Sequence, residues 1–275
     1  MAPGPRTSRF DRDTALVALG DGRFEGRMDP GWWIERGPNG GYVAAVLLRA
    51  LTEAVGDPGR APRSLTIHYT APPMEGTVVI ETRLERVGRS LTFISGRMLQ
   101  GERLLALALG AFSAPWQSDI EIHHARMPDV PSPEATPVMP SRPGGDLPMH
   151  ARYEYRWALG GAPFSGAEAA ELGGWIRLAE PRLVDATVAA AIADAWPPTL
   201  MPVLTSSSKV AGFPTVDLTL HFRTRLPIAG AAPGDWTLAV FRAREVREGF
   251  FEEDGELWSV DGQLLAHSRQ LAILM

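Results

Sequence analysis

Two stretches of the chain are apolar nearly all the way round a helix, and each is followed by strand-like alternation. The first runs from Gly40 to Leu51 and the second from Leu183 to Trp196. Ala and Leu dominate both and neither has an interior Pro, so both predict helices. A helix without a polar face cannot lie on a surface and must be wrapped by other structure. After the first comes Leu65-Thr66-Ile67-His68-Tyr69, and after the second Leu218-Thr219-Leu220-His221-Phe222. A later pair, Gly101–Ala106 and Asp261–Ala266, repeats the echo. The two spacings are 153 residues (Leu65 to Leu218) and 160 (Leu104 to Leu264), so the echoes keep their order. The chain reads as a duplication of one unit, a central helix and then antiparallel strands.

In chain order, residues 1 to 15 are polar with Pro and Gly and are expected to fray. Gly22–Met28 predicts a short strand, and the turn Gly37-Pro38-Asn39-Gly40-Gly41 opens the first helix with Asn39 as N-cap. Strands are predicted at about 63 to 71, 76 to 87, 91 to 100 and 103 to 114, divided by Pro72-Pro73, Gly88 and Gly101. Short turns between sequential strands imply an antiparallel sheet curled around the helix. From Pro115 to His150 the alternation collapses, and eight of the 24 prolines fall there. The duplication therefore divides as an N-terminal unit 1–114, a Pro-rich connection 115–150 and a C-terminal unit 151–275. The second unit opens with strands at 151 to 157 and 173 to 178. Trp196-Pro197-Pro198 stops its helix, and strands resume near Phe213, to about 223, then at 235 to 246, 248 to 260 and 263 to 274.

At 275 residues with 45% hydrophobic positions, two fused units of ordinary domain size can each bury a core. A net charge of -5 argues against nucleic acid as a partner. The absence of Cys removes disulfides, thiolate metal sites and Cys nucleophiles. No stretch approaches the ~20 apolar residues of a membrane span, and the charged start lacks the apolar block of a secretory signal, so the expected location is cytoplasmic. The adjacent His123 and His124 would point opposite ways on an extended chain, so no metal site is expected. No nucleophile elbow, zinc-protease motif or phosphate loop is present.

The ordered set of short motifs resembles the acyl-CoA thioesterase II family. The matching residues are Asn39-Gly40-Gly41, Gly88-Arg89-Ser90 with Gln100-Gly101, Trp175-Ile176-Arg177, Ala193-Asp194 and Thr215-Val216-Asp217. They continue with Gly255-Glu256-Leu257, Asp261-Gly262 and Ala266-His267-Ser268-Arg269-Gln270. The resemblance implies an α+β double hotdog, two tandem units each with a curved antiparallel sheet around a central helix. It implies hydrolysis of an acyl-CoA thioester, without metal or other cofactor, by a water held by Asp194, Thr215 and Gln270. The acyl chain is expected in an apolar tunnel between helix and sheet, with the CoA phosphates on surface arginines. A monomer and a homo-oligomer of the fused double unit both remain open. So does a non-catalytic acyl-CoA-binding protein; a hotdog hydratase is disfavoured, because Asn39-Gly40-Gly41-Tyr42 stands where that class has its Asp-His pair.

The residues can also be weighed by themselves. Asp194 lies near the negative end of its helix dipole, so capping does not account for it, and the alternative to a water-handling carboxylate is a solvated one at a frayed end. Alternation puts Thr215 on a face with Asp217, Thr219 and His221, opposite Val216 and Leu218, so it reaches a buried site only if the strand end is re-aimed. Gln270, in the final strand, reads as a surface amide, although an amide that both donates and accepts suits a water. Gly40 and Gly41, with Tyr42 after them, are the candidate substrate-binding residues. Their N–H groups stand at the positive helix end and are expected to polarise the thioester oxygen, unless these glycines serve only close helix packing.

Overall fold

The structure, a computed structural model, describes residues 7–139 and 145–275. A short helix α1 (Arg9–Asp13) precedes strands β1 (Val17–Gly20) and β2 (Arg23–Met28), a 3-10 turn at Pro30–Trp32 and helix α2 (Gly40–Val55). Strands β3 (Ala61–Tyr69), β4 (Gly76–Val87), β5 (Leu91–Gln100) and β6 (Arg103–Ser113) complete the first repeat. The second has β7 (Tyr153–Gly160), β8 (Glu171–Leu178), helix α3 (Ala186–Ile192), β9 (Thr215–Phe222), β10 (Thr237–Arg242), a two-residue β11 (Val246–Arg247), β12 (Phe250–Ser259) and β13 (Leu264–Ile273).

All these strands join one antiparallel sheet, and its order displays the duplication. Outward from the middle, one side reads β3, β6, β5, β4, β2, β1, and the other β9, β13, β12, β10, β8, β7. The echo pentapeptides form the seam. Thr66 is paired with Thr219, and the Thr219 hydroxyl lies 3.1 Å from that of Thr66. Repeat-equivalent residues therefore face each other across a local two-fold, and neither β3 nor β9 is left as an exposed edge.

Helix α2 is capped as its sequence requires. Asn39 accepts from the Tyr42 N–H, and Gly56 ends the helix at φ 63°, a conformation that favours glycine. From Gly41 to Leu51 every residue except Arg49 is buried, as expected of a helix apolar all round. The sheet face below is filled closely. Cβ atoms added at Gly96 and Gly110 would lie 3.0 and 3.2 Å from the Leu51 side chain, while Ile67, Ile80, Ile94, Met98 and Phe112 are fully buried. Where Leu51 packs on Gly96 and Gly110, the space between α2 and the sheet is filled by the protein's own side chains.

Three expectations are corrected. Residues 9–13 are not frayed: Ser8 caps α1, Phe10 packs edge-on against Trp32 at 5.6 Å, and Asp11 accepts from both Arg49 and Arg182, tying the two repeats together. Residues 1–6 of that segment lie outside the described residues. The second helix is shorter than 183–196, because Asp185 caps it by accepting from the Val188 N–H and the chain leaves the helix at Ala193. Within 115–150, the described residues near 127–139 are packed rather than merely connecting. Met127 and Val130 cover Trp175 and Leu238, the Trp175 indole donates to the Pro131 carbonyl at 2.9 Å, and the Trp157 and Met139 amides bond across to this segment and β7. Residues 140–144 lie outside the described residues. Two strand sets joined at a seam, each with its buried helix, make the α+β architecture a double hotdog.

Candidate active site

The start of α2 packs against the end of α3, and their smallest residues set the distance. A Cβ at Gly41 would lie 2.3 Å from the Ala191 carbonyl oxygen, so only glycine lets α2 approach α3 this closely. The approach brings the start of α2 against the turn that follows α3, which contains Asp194. Its Oδ2 accepts from the Gly41 N–H at 3.0 Å and from Asn39 Nδ2 at 3.0 Å, and Asn39 Nδ2 also donates to the Asp194 backbone carbonyl. The glycines therefore do serve close packing, and the Gly41 amide is engaged by a carboxylate of the other repeat. A Cβ at Gly40 would lie 2.7 Å from that same Oδ2.

Asp194 keeps partial solvent access but is densely surrounded by protein. Desolvation pushes its pKa up to about 6, against the opposing pull of the Gly41 and Gly40 amides, the Asn39 side chain and the Gln270 amide. It is not the freely solvated carboxylate of a frayed helix end. At neutral pH it is mostly ionised yet close enough to its pKa to accept a proton.

Thr215 and Gln270 come together beside it. Gln270 is only 7% exposed, because the final strand β13 lies between β9 and β12 rather than at a sheet edge. Its register partner is the fully buried Leu218, so its amide points to the core side. Thr215 reaches the same side through an irregularity in β9: Leu271 pairs with Asp217, but Ala272 pairs with Thr215. The extra residue, Val216, is a β-bulge that reverses the alternation at the strand end. The Thr215 hydroxyl then donates to Gln270 Oε1 at 3.4 Å.

Tyr42 is turned elsewhere. Its ring stacks on Trp32 at 5.0 Å, its hydroxyl donates to the Asp13 carbonyl at 2.6 Å, and its backbone N–H is used by Asn39. The site contains residues that sequence reasoning passed over. Tyr69 donates to the Gly40 carbonyl at 2.9 Å, and burial, then the charges of Asp194 and Asp217, raise its pKa well above the ordinary range. Glu253 is 5% exposed and bonded to Gln270. Its signal was in the alternation of β12, where Phe251, Glu253, Gly255 and Leu257 share the buried face.

Fold and geometry describe a double hotdog protein with two desolvated carboxylates, Asp194 and Glu253, near the junction of its repeats. Residues 29–113 match the family model for the acyl-CoA thioesterase N-terminal domain, and residues 130–274 match that for the C-terminal domain. The chain belongs to the acyl-CoA thioesterase family and is a thioester-hydrolysing enzyme. It is similar to a hot dog fold protein of unknown function from Alicyclobacillus acidocaldarius, 30% identical over 98% of both chains with a TM-score of 0.87. Its fold is also that of the acyl-CoA thioesterase II TesB2 of Mycobacterium marinum, 18% identical over 97% of this chain and 98% of that one, TM-score 0.76. The thioesterase-like protein TwmA of Talaromyces wortmannii is 22% identical, covering 99% of this chain and 93% of that protein.

Proposed function

We propose that the chain hydrolyses a fatty acyl-CoA to the free acid and coenzyme A, with Asp194 as the base for an attacking water. The observation that carries this reading is the Asp194 carboxylate, desolvated to a pKa of about 6, held 3.0 Å from the Gly41 amide and next to the Thr215–Gln270 pair. Thr215 and Gln270 offer a hydroxyl and an amide that orient the water by donating and accepting. The water oxygen forms a bond to the acyl carbon as Asp194 takes a proton. The tetrahedral intermediate collapses by breaking the C–S bond, and the proton passes to the departing sulfur.

This arrangement changes the role of the helix end. Because the Gly41 N–H donates to Asp194, the positive end of α2 acts first on the base, holding it in place and limiting its rise in pKa. Polarisation of the thioester oxygen by the Gly40 and Gly41 amides then belongs to a substrate complex in which the carbonyl shares that end with Asp194.

The test is release of free thiol from a panel of acyl-CoAs of increasing chain length. Asp194→Asn is expected to lower kcat by roughly 10²- to 10⁴-fold, the usual worth of a general base. Full turnover by this variant would remove Asp194 from the base role. Retention of intact acyl-CoA by the unaltered protein would make it a binding module instead.

A further inference from the structure

We propose that Glu253 is a positioning residue of this hydrolytic site, fixing which way round the Gln270 amide stands. The inference rests on the reading of Gln270 given above and adds a residue and a role to it.

Glu253 comes from β12, at an inward position between Phe251 and Gly255, and is 5% exposed. Burying an acid is costly, and a Leu or Met of similar volume would fill the same space without that cost. The contacts indicate what the acid contributes. Glu253 Oε1 accepts from Gln270 Nε2 at 2.7 Å, and Oε2 accepts from the Thr199 N–H at 2.9 Å. When ionised, above its pKa, the carboxylate only accepts, so it admits the NH2 end of Gln270 and rejects the carbonyl end. The Gln270 oxygen is thereby forced to the other side, where the Thr215 hydroxyl donates to it at 3.4 Å. Asp194 also interacts with the Gln270 amide, and Glu253 adds a second, more deeply buried acceptor that favours the same end.

The groups facing Glu253 are few. Gln270 on β13 and Thr199 in the loop after α3 are neutral, and the charge that acts on it is that of Asp194. Burial and that charge both raise its pKa, to about 7. The charge of Asp194 thus bears on the protonation of Glu253.

The experiment is steady-state kinetics of Glu253→Gln in the full chain, with thiol release as readout. A Gln at this position keeps the shape but accepts and donates, so it no longer dictates the polarity of its neighbour. The expected result is a kcat lower by about 10- to 100-fold, the scale of a misplaced reacting group, with KM changed less than about threefold. The acid limb of the kcat–pH profile should fall from two ionisations to one. In a Gln270→Ala background the same substitution should cost less than about threefold, because a residue that acts through another has nothing left to act on. Unchanged kcat in Glu253→Gln, or losses that multiply in the double variant, would overturn the proposal. Should Glu253→Gln not fold, Glu253→Asp keeps both ionisations but retracts the acceptor from Gln270 by one methylene; kcat should again fall by about tenfold or more, and unchanged kcat would overturn the proposal. Failure here is distinct from failure of the mechanism: an inactive Asp194→Asn beside a fully active Glu253→Gln removes only Glu253.

Discussion

At the scale of single residues, the site turns on the cost of keeping an acid where water is scarce. Asp194 has a folded pKa of about 6 against an ordinary value of 3.8, so the native state holds its proton more tightly than the unfolded chain. Stability from this group is present below the unfolded pKa and is lost as pH rises through about 6. Asp194→Asn lacks that ionisation. Its melting temperature relative to the unaltered protein should therefore increase by a few degrees between pH 4 and pH 7.5. A difference that stays flat across this range in thermal unfolding would mean that Asp194 is not desolvated as described. Asp194→Asn should thus raise stability at neutral pH while lowering kcat, the signature expected of a group kept for chemistry at a cost to the fold.

At the scale of elements, the approach of α2 to α3 separates two glycines that look alike in sequence. Replacing Gly by Ala within a helix gains up to about 1 kcal/mol of intrinsic propensity. At Gly41 the new Cβ would meet the backbone carbonyl of Ala191 at 2.3 Å, and the helices would have to part. Overpacking of this kind costs about 1 to 3 kcal/mol and outweighs the gain, so Gly41→Ala should lower the melting temperature and the activity together. At Gly40 the Cβ would meet the end of the Asp194 side chain at 2.7 Å, which can swing aside. Gly40→Ala should therefore lose activity with little loss of melting temperature. Equal thermal losses in the two variants, measured by calorimetry, would contradict this division. The bulge at Val216 is the second device at this scale, since a regular β9 would direct Thr215 away from Gln270.

At the scale of the whole molecule, the proposed site draws on both repeats. Asn39 and Gly41 belong to the first, while Asp194, Thr215, Glu253 and Gln270 belong to the second. The seam between β3 and β9 and the arginine–Asp11 contacts hold the two in register. Separately produced pieces 1–114 and 115–275 should each release no thiol from acyl-CoA. Each would also expose a long unpaired strand at the severed seam and should self-associate, as seen by light scattering. An active, monomeric second piece would show that the first contributes nothing to the chemistry. Among the described residues, no helix is long and apolar enough to cross a membrane.

The amino-acid sequence by itself determined what depends on neighbours a few residues apart. The period of apolar positions placed α2 and most of the strands, the echoes revealed the duplication, and Asn39 with its glycines marked the start of α2. Asp194 was conspicuous as an acid at the end of an apolar helix that gave it no local reason to be there. Only the tertiary structure decided that Asn39 and Asp194, 155 residues apart, touch. Strand order put β13 in the sheet interior and so buried Gln270, which read as a surface amide. A one-residue bulge turned Thr215 inward against its own alternation, and Glu253 gained meaning only when its buried face met Gln270. Local pattern fixes which way a side chain leaves its own element, but register and strand order across the seam decide what it meets, and those are set by packing the two repeats together.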